Sequence, residues 1–199
     1  MLGRFIAKIR EVGFRYAIVI LLARFIPSRI LSARRIFVLH LPTAVTKPDR
    51  TIGRWAGPGD LDALAGFGHA KSTLVDRFAR GDRAWLEVEV DRLVGYCWFT
   101  RGDYHDEATG LAFPAHPDEV WLYDAMIHRE QRGRRIYPCL LAGAARQLER
   151  EGTRGIWIIV EALNRNSIRA HEAGGAVVVQ SIRMVTFFGR QRVVRRDVA

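Results

Sequence analysis

Residues 128–141 read HREQRGRRIYPCLL, four arginines around a single glycine, placed between an apolar run and a helix-like run. Two chemistries fit this spacing. A strand-to-helix turn offers free backbone N–H groups and the positive end of a helix dipole, so it can hold an anion, and arginines add charge-assisted contacts. The alternative is a solvated basic loop with no ligand. A second polar group, His105, Asp106, Glu107 and His116, falls in the loop-like stretch 101–119 and matches no standard set of metal ligands. It reads as a solvated loop, and no metal is expected. Cys97 and Cys139 lie in apolar segments without metal-ligand spacing. They read as two reduced core thiols, which suits a reducing cytosol.

These residues must be positioned by elements that the hydrophobic pattern delimits. At 199 residues, nearly half of them apolar, the chain can bury a core of one domain. Residues 35–41 (RIFVLHL) read as a strand, and 59–68 and 71–81 as two short helices capped by Asp60 and Ser72. Residues 84–91 and 92–100 read as strands joined by a tight turn, and 120–127 (VWLYDAMI) as another. A helix over 135–152 ending at Gly152, a strand over 155–163, a short helix over 166–175 and a strand pair over 176–189 complete the series. Early antiparallel pairing followed by a βαβ unit predicts an α/β fold with a mixed sheet flanked by helices.

The net charge of +10 sits at the ends. Residues 1–35 hold eight Lys/Arg and one Glu, residues 190–199 hold four Arg and one Asp, and residues 36–189 balance at nineteen of each sign. A folded body without excess positive charge argues against nucleic acid as a partner. In the N-terminal segment Phe5, Ile9, Val12, Tyr16 and Ile20 recur at helical spacing, with Arg4, Lys8 and Arg15 on another side. Pro27 interrupts the pattern and Ser28 can cap a second helix through Arg35. The uncharged run between Arg15 and Arg24 is eight residues, too short for the ~20 needed to span a bilayer, and no small-residue cleavage site follows it. The expectation is an extension over 1–35, a basic amphipathic helical segment ahead of a domain over 36–199. It either packs on that domain or lies on an anionic membrane surface.

The element order and two segments, LYDAMIHREQRGRRIYPCLL and VEALNRNSIRAHEAGGAV, resemble the GNAT acetyltransferase superfamily over about residues 36–188. The family shows a strand, then Arg/Gln-x-x-Gly-x-Gly/Ala, then an apolar helix. Here that window is Arg132, Gly133, Arg134, Arg135, Ile136 and Tyr137, so Arg135 and Tyr137 stand where small residues are usual. The resemblance implies acetyl-CoA as co-substrate, its pyrophosphate at residues 132–137. It implies that Ala125, Met126 and Ile127 offer backbone groups to the pantetheine arm, with Asn164 and Ser167 as side-chain partners; a helix cap is the other reading of Asn164. At the position where many members carry an acidic tyrosine stands His171, whose imidazole near its ordinary pKa could protonate the leaving thiolate; a solvated helix histidine is the other reading. Asp124 is the carboxylate in the middle of the fourth strand, a candidate for general base or ammonium partner, or a buried hydrogen-bonded aspartate. Glu87, Glu89 and Glu161 are reserves.

The implied activity is N-acetyl transfer to a small amine, an amino sugar or membrane-linked precursor if the extension meets the membrane, in the cytoplasm or on the inner membrane face. A homodimer stays open. Two other readings stand beside it: an acyltransferase using a longer acyl-CoA or an acyl carrier protein, and a non-catalytic CoA-binding or membrane-scaffold module.

Overall fold

The computed structural model describes residues 30–44, 53–90 and 92–198. The helical segment expected over residues 1–26 lies outside them. The chain divides into two compact units, one of residues up to Val38 with Val160–Asn164 and Val178–Ala199, the other of Leu39–Ile159 with Arg165–Val177.

The second unit carries a sheet in the order β8-β7-β4-β3-β2. Its strands are β2 (Gly53–Trp55), β3 (Arg83–Glu89), β4 (Arg92–Thr100), β7 (Glu119–Ile127) and the first residues of β8 (Gly155–Glu161). All neighbours are antiparallel except β7 and β8, which run parallel. The parallel pair is possible because helix α3 (Ile136–Arg150) supplies the crossover. The pleat sorts the side chains. Leu86, Tyr96 and Trp98 point to one face and form a buried cluster with Leu64 of helix α1 (Leu61–Ala65) and Leu74 of helix α2 (Lys71–Ala79). On the other face, Gly95 leaves room for Leu140 of α3. The inward stripe of α3, with Ile136, Leu140, Leu141, Ala144, Ala145 and Leu148 all buried, follows helical spacing. Gly152, at φ +83°, ends it where the sequence places the stop.

Three local expectations are corrected. Residues 31–35 are not helical: β1 runs Leu31–Pro42. In LSARRIFV, Ile36 and Val38 share one face and are buried, as is Leu31 at the start of the strand, while Arg34 and Arg35 reach Glu161 and Ser181 in the same unit. The strand pair expected over 176–189 is one strand, β9 (Val177–Phe187), and its partner is β10 (Arg190–Asp197). Arginine-rich β10 lacks the apolar alternation that would mark it. The polar stretch 101–119 contains a two-stranded ribbon, β5 (Tyr104–Asp106) with β6 (Leu111–Phe113). Tyr104 stacks on Trp121 and Tyr123 of β7, at 6.0 and 5.7 Å between ring centroids.

In the first unit β10 lies beside β9, and β9 beside β1. Among the described residues no helix is long and apolar enough to cross a membrane.

Candidate active site

Strand β7 organises the site. Its ladder with β8 runs from Glu119 to Leu122 and stops. At the same level the register with β4 shifts, Phe99 facing Leu122 and Trp98 facing Asp124, so Tyr123 is an inserted residue. A bulge bends the strand and strengthens its twist. Beyond it, Ala125, Met126 and Ile127 remain paired with Cys97, Tyr96 and Gly95 of β4 but have no partner from β8. One edge of β7 is thereby left with backbone donors and acceptors, the arrangement that suits an amide-bearing ligand. The Ile127 carbonyl is partly used already, accepting from Arg132 Nε at 3.2 Å.

The turn that follows has two residues in the left-handed region, Gly133 at φ +84° and Arg135 at φ +59°. An L-residue there costs about 1–2 kcal/mol, so an arginine retains a backbone shape that glycine would adopt freely. Arg135 caps α3 without a side-chain hydrogen bond and its own side chain is exposed. Helix geometry leaves the N–H groups of Ile136 and Tyr137 without intrahelical acceptors, and no acidic residue occupies the first turn to neutralise them. The arginines divide their work. Arg132 braces the turn, Arg134 pairs with Glu89 at 3.0 Å and with Gln131, and Arg135 has no side-chain partner among the described residues. Glu89 is thus committed to an ion pair, as is Glu161, which accepts from Arg34 Nε at 2.9 Å in the first unit.

Tyr137, expected to crowd the turn, is directed toward helix α4 (Arg165–Ala173), where its hydroxyl shares a 3.1 Å hydrogen bond with His171 Nδ1. The rings meet edge to face at 5.1 Å. Burial pushes the Tyr137 phenol well above its usual pKa. His171 is 4% exposed, and burial lowers it to about 4. The expectation of an imidazole near its ordinary pKa, or of a solvated one, is corrected: the imidazole is neutral at pH 7, and the group beside it with a proton to give is the Tyr137 hydroxyl. Ser167 is half-buried on the same helix. Asn164 belongs to the first unit, exposed, its backbone N–H donating to the Glu161 carbonyl.

On the α1/α2 face, Asp124 is bound by Arg77 Nη1 at 2.7 Å and accepts from the Tyr96 hydroxyl at 3.3 Å. Arg77 is held between the rings of Trp98 and Tyr123, 5.2 Å from each. Neutralised in this way, Asp124 is a poor receptor for a substrate ammonium. Its second neighbour is His69, whose Nε2 lies 3.4 Å from Oδ2 and hydrogen-bonds the Tyr96 hydroxyl. A carboxylate on one ring nitrogen fixes the tautomer and leaves the other as acceptor. His69, Arg77 and Tyr96 were not singled out by their sequence context. His69 sits alone in GFGHAKS between two short helices, and only the fold brings it to Asp124.

Glu87 is a different carboxylate. It is 6% exposed, its Oε2 has no hydrogen-bond partner among the described residues, and burial together with the charge of Glu89 raises it to about 7. It projects to the α3 face, away from His69 and Asp124.

The sequence profile described as Acetyltransferase (GNAT) family matches residues 60–175. No curated protein matches the chain significantly. Among solved structures, a GNAT-family protein from Novosphingobium aromaticivorans superposes with a TM-score of 0.56 at 15% identity, covering 78% of this chain and 64% of its own. A GNAT-family acetyltransferase from Colwellia psychrerythraea gives 0.56 at 13%, covering 85% and 57%. A GCN5-related N-acetyltransferase from Sphaerobacter thermophilus gives 0.56 at 17%, covering 88% and 56%. The chain therefore spans less than two thirds of each of these relatives, and at such identities the likeness is one of fold. With the profile extending over more than half of its residues, from the first helix to the end of α4, the chain belongs to the GNAT acetyltransferase family.

Proposed function

We propose that the chain is an N-acetyltransferase that moves an acetyl group from acetyl-CoA to the amine of a small acceptor. The observation that carries this reading is the end of the β7–β8 ladder at Leu122, directly before a turn that opens α3 with unpaired N–H groups. The residues present fit the coenzyme: Ala125, Met126 and Ile127 would hold the pantetheine amides, and Arg135 with the Ile136 and Tyr137 N–H groups would hold the pyrophosphate. Ser167 is the proposed side-chain partner of the same arm, with Gly133 giving the turn its shape and Arg132 and Arg134 bracing it. Bound acetyl-CoA would supply an acetyl thioester and depart as a thiol. His69, oriented by Asp124 and Tyr96, would take the proton from the acceptor amine. Tyr137, hydrogen-bonded to His171, would give a proton to the departing sulfur. Asp124 and His171 thus retain parts in the chemistry, the first by orienting a base and the second by supporting an acid.

The acceptor class rests on the sequence of residues 1–35. A basic amphipathic segment at an anionic membrane surface would bring the site to a membrane-linked amine or amino sugar on the cytoplasmic side. Calorimetric titration tests the donor: CoA and acetyl-CoA should bind, and Arg135→Glu should weaken binding at least tenfold, about 1.4 kcal/mol. Unchanged affinity would place the phosphates elsewhere. With a responsive amine in hand, His69→Gln should fold normally and lose most of its turnover at neutral pH; full activity would remove His69 as the base.

A further inference from the structure

The β9–β10 hairpin of the first unit has a one-sided surface that acetyl transfer does not use. Its register is Arg190 with Phe187, Arg192 with Val185, Val194 with Arg183 and Arg196 with Ser181. Because side chains alternate across a strand, these eight residues share one face. That face carries four arginines and no carboxylate. The one acid of β10, Asp197, projects from the opposite face and accepts from Gln180 at 2.9 Å. All of β10 is exposed. The hairpin tip displays Phe187 and Phe188, 58% and 70% exposed, their rings in contact edge to face at 4.7 Å. Val193 and Val194 are also exposed.

Two large aromatic rings in water at the end of a strand pair, flanked by exposed Arg190, Arg192 and Arg196 on a face of the hairpin that carries no carboxylate of β9 or β10, form a combination that a solvated surface does not favour. The tip is tied to the residue that precedes β1, since the Phe188 N–H donates to the Ile30 carbonyl at 2.9 Å.

We infer that this face of the β9–β10 hairpin docks on an anionic phospholipid bilayer, Phe187 and Phe188 entering the headgroup region and Arg190, Arg192 and Arg196 lying against lipid phosphates. Aromatic rings partition into the interface and basic side chains gain from its negative potential. A bilayer fits better than a single-stranded nucleic acid, which needs rings spaced along a strand for successive bases to stack on; here both rings are at the tip. The hairpin is a docking element built into the folded body, separate from the N-terminal segment and independent of which acceptor is acetylated.

The test uses the full chain and co-sedimentation with vesicles of phosphatidylcholine and phosphatidylglycerol in a three-to-one ratio. The protein should bind these, should bind pure phosphatidylcholine far more weakly, and should be released as salt rises. Arg190→Gln, Arg192→Gln and Arg196→Gln together should weaken binding about hundredfold, at ~1 kcal/mol per basic residue. Phe187→Ser with Phe188→Ser should weaken it at least tenfold. Both variants alter only exposed side chains, so their melting temperatures should match the parent. Parent-like vesicle binding by either variant would overturn the inference and assign any membrane contact to the N-terminal segment. Capture of a single-stranded oligonucleotide in preference to the anionic vesicles, lost in the arginine variant, would overturn it in favour of nucleic acid.

Discussion

Glu87→Gln should change how stability depends on pH, in a direction that the structure fixes. The carboxyl is 6% exposed, has an oxygen without a partner among the described residues, and is raised from 4.5 to about 7 by burial first and the Glu89 charge second. Such a group binds its proton more tightly folded than unfolded. Its contribution to stability is fully present below about pH 4.5 and is lost as pH rises through 7. A change from 4.5 to about 7 corresponds to roughly 3 kcal/mol, at ~1.36 kcal/mol for each tenfold change in acidity. Glutamine keeps the shape and never ionises. Its amide brings a fixed cost of ~1–3 kcal/mol for an unsatisfied buried donor, equal at every pH. The difference between variant and parent should therefore move by about 3 kcal/mol in favour of the variant between pH 4 and pH 8. His171, lowered to about 4 by burial, acts oppositely: its contribution is present above about pH 6.5 and falls as pH drops toward 4. It is common to both proteins and cancels in the difference. Urea unfolding across that range measures the effect. A difference that stays flat would show that Glu87 is solvated or partnered in the folded chain, and the account of its burial would be wrong.

Arg135→Gly should raise stability by about 0.5–1 kcal/mol in urea unfolding, because the strain at φ +59° exceeds glycine's added freedom in the unfolded chain, while CoA affinity measured by calorimetry falls. Tyr137→Phe removes the hydroxyl on His171 Nδ1 and should cost about 1–2 kcal/mol of stability; in steady-state assays it should lower kcat with little change in KM, whereas equal effects on both would deny it a proton-transfer role. Gly95→Ala should cost about 1–3 kcal/mol, since the added methyl would collide with Ile127 Cδ1 and stand 3.0 Å from the Met126 carbonyl; Ile127 can rotate but the carbonyl cannot, so a melting temperature equal to the parent's would contradict the close approach of β4 to β7.

The parts of the fold that were legible in the sequence are those whose burial imposes a period. The apolar stripe of α3 and its glycine stop, the strands β3, β4 and β7, and the strand-to-helix turn at 132–137 all carry such a signal. The start of β1 did not, because Arg34 and Arg35 look like surface helix residues and their partners Glu161 and Ser181 are more than a hundred positions away. Strand β10 was missed because a fully exposed strand need not alternate. Of the site, Asp124 and His171 could be singled out through the family resemblance, yet their surroundings could not. Arg77 reaches Asp124 on β7 from helix α2, and buried His171 meets Tyr137 from the first turn of α3. His69 carries no local pattern, so its pairing with Asp124 is a property of tertiary structure alone.

The halting of the β7–β8 ladder at Leu122 has a consequence for hydrogen–deuterium exchange. On β7 between Tyr123 and Ile127, amides directed toward β4 are locked in a ladder, and those directed the other way have lost their strand partner. Labelling in deuterated water should divide this short segment into slow and fast amides in alternation. A ligand whose own amides take the place of the missing strand would slow the fast set and leave the slow set unchanged. The segment would then report occupancy of the cleft by itself, without turnover and before any acceptor is known.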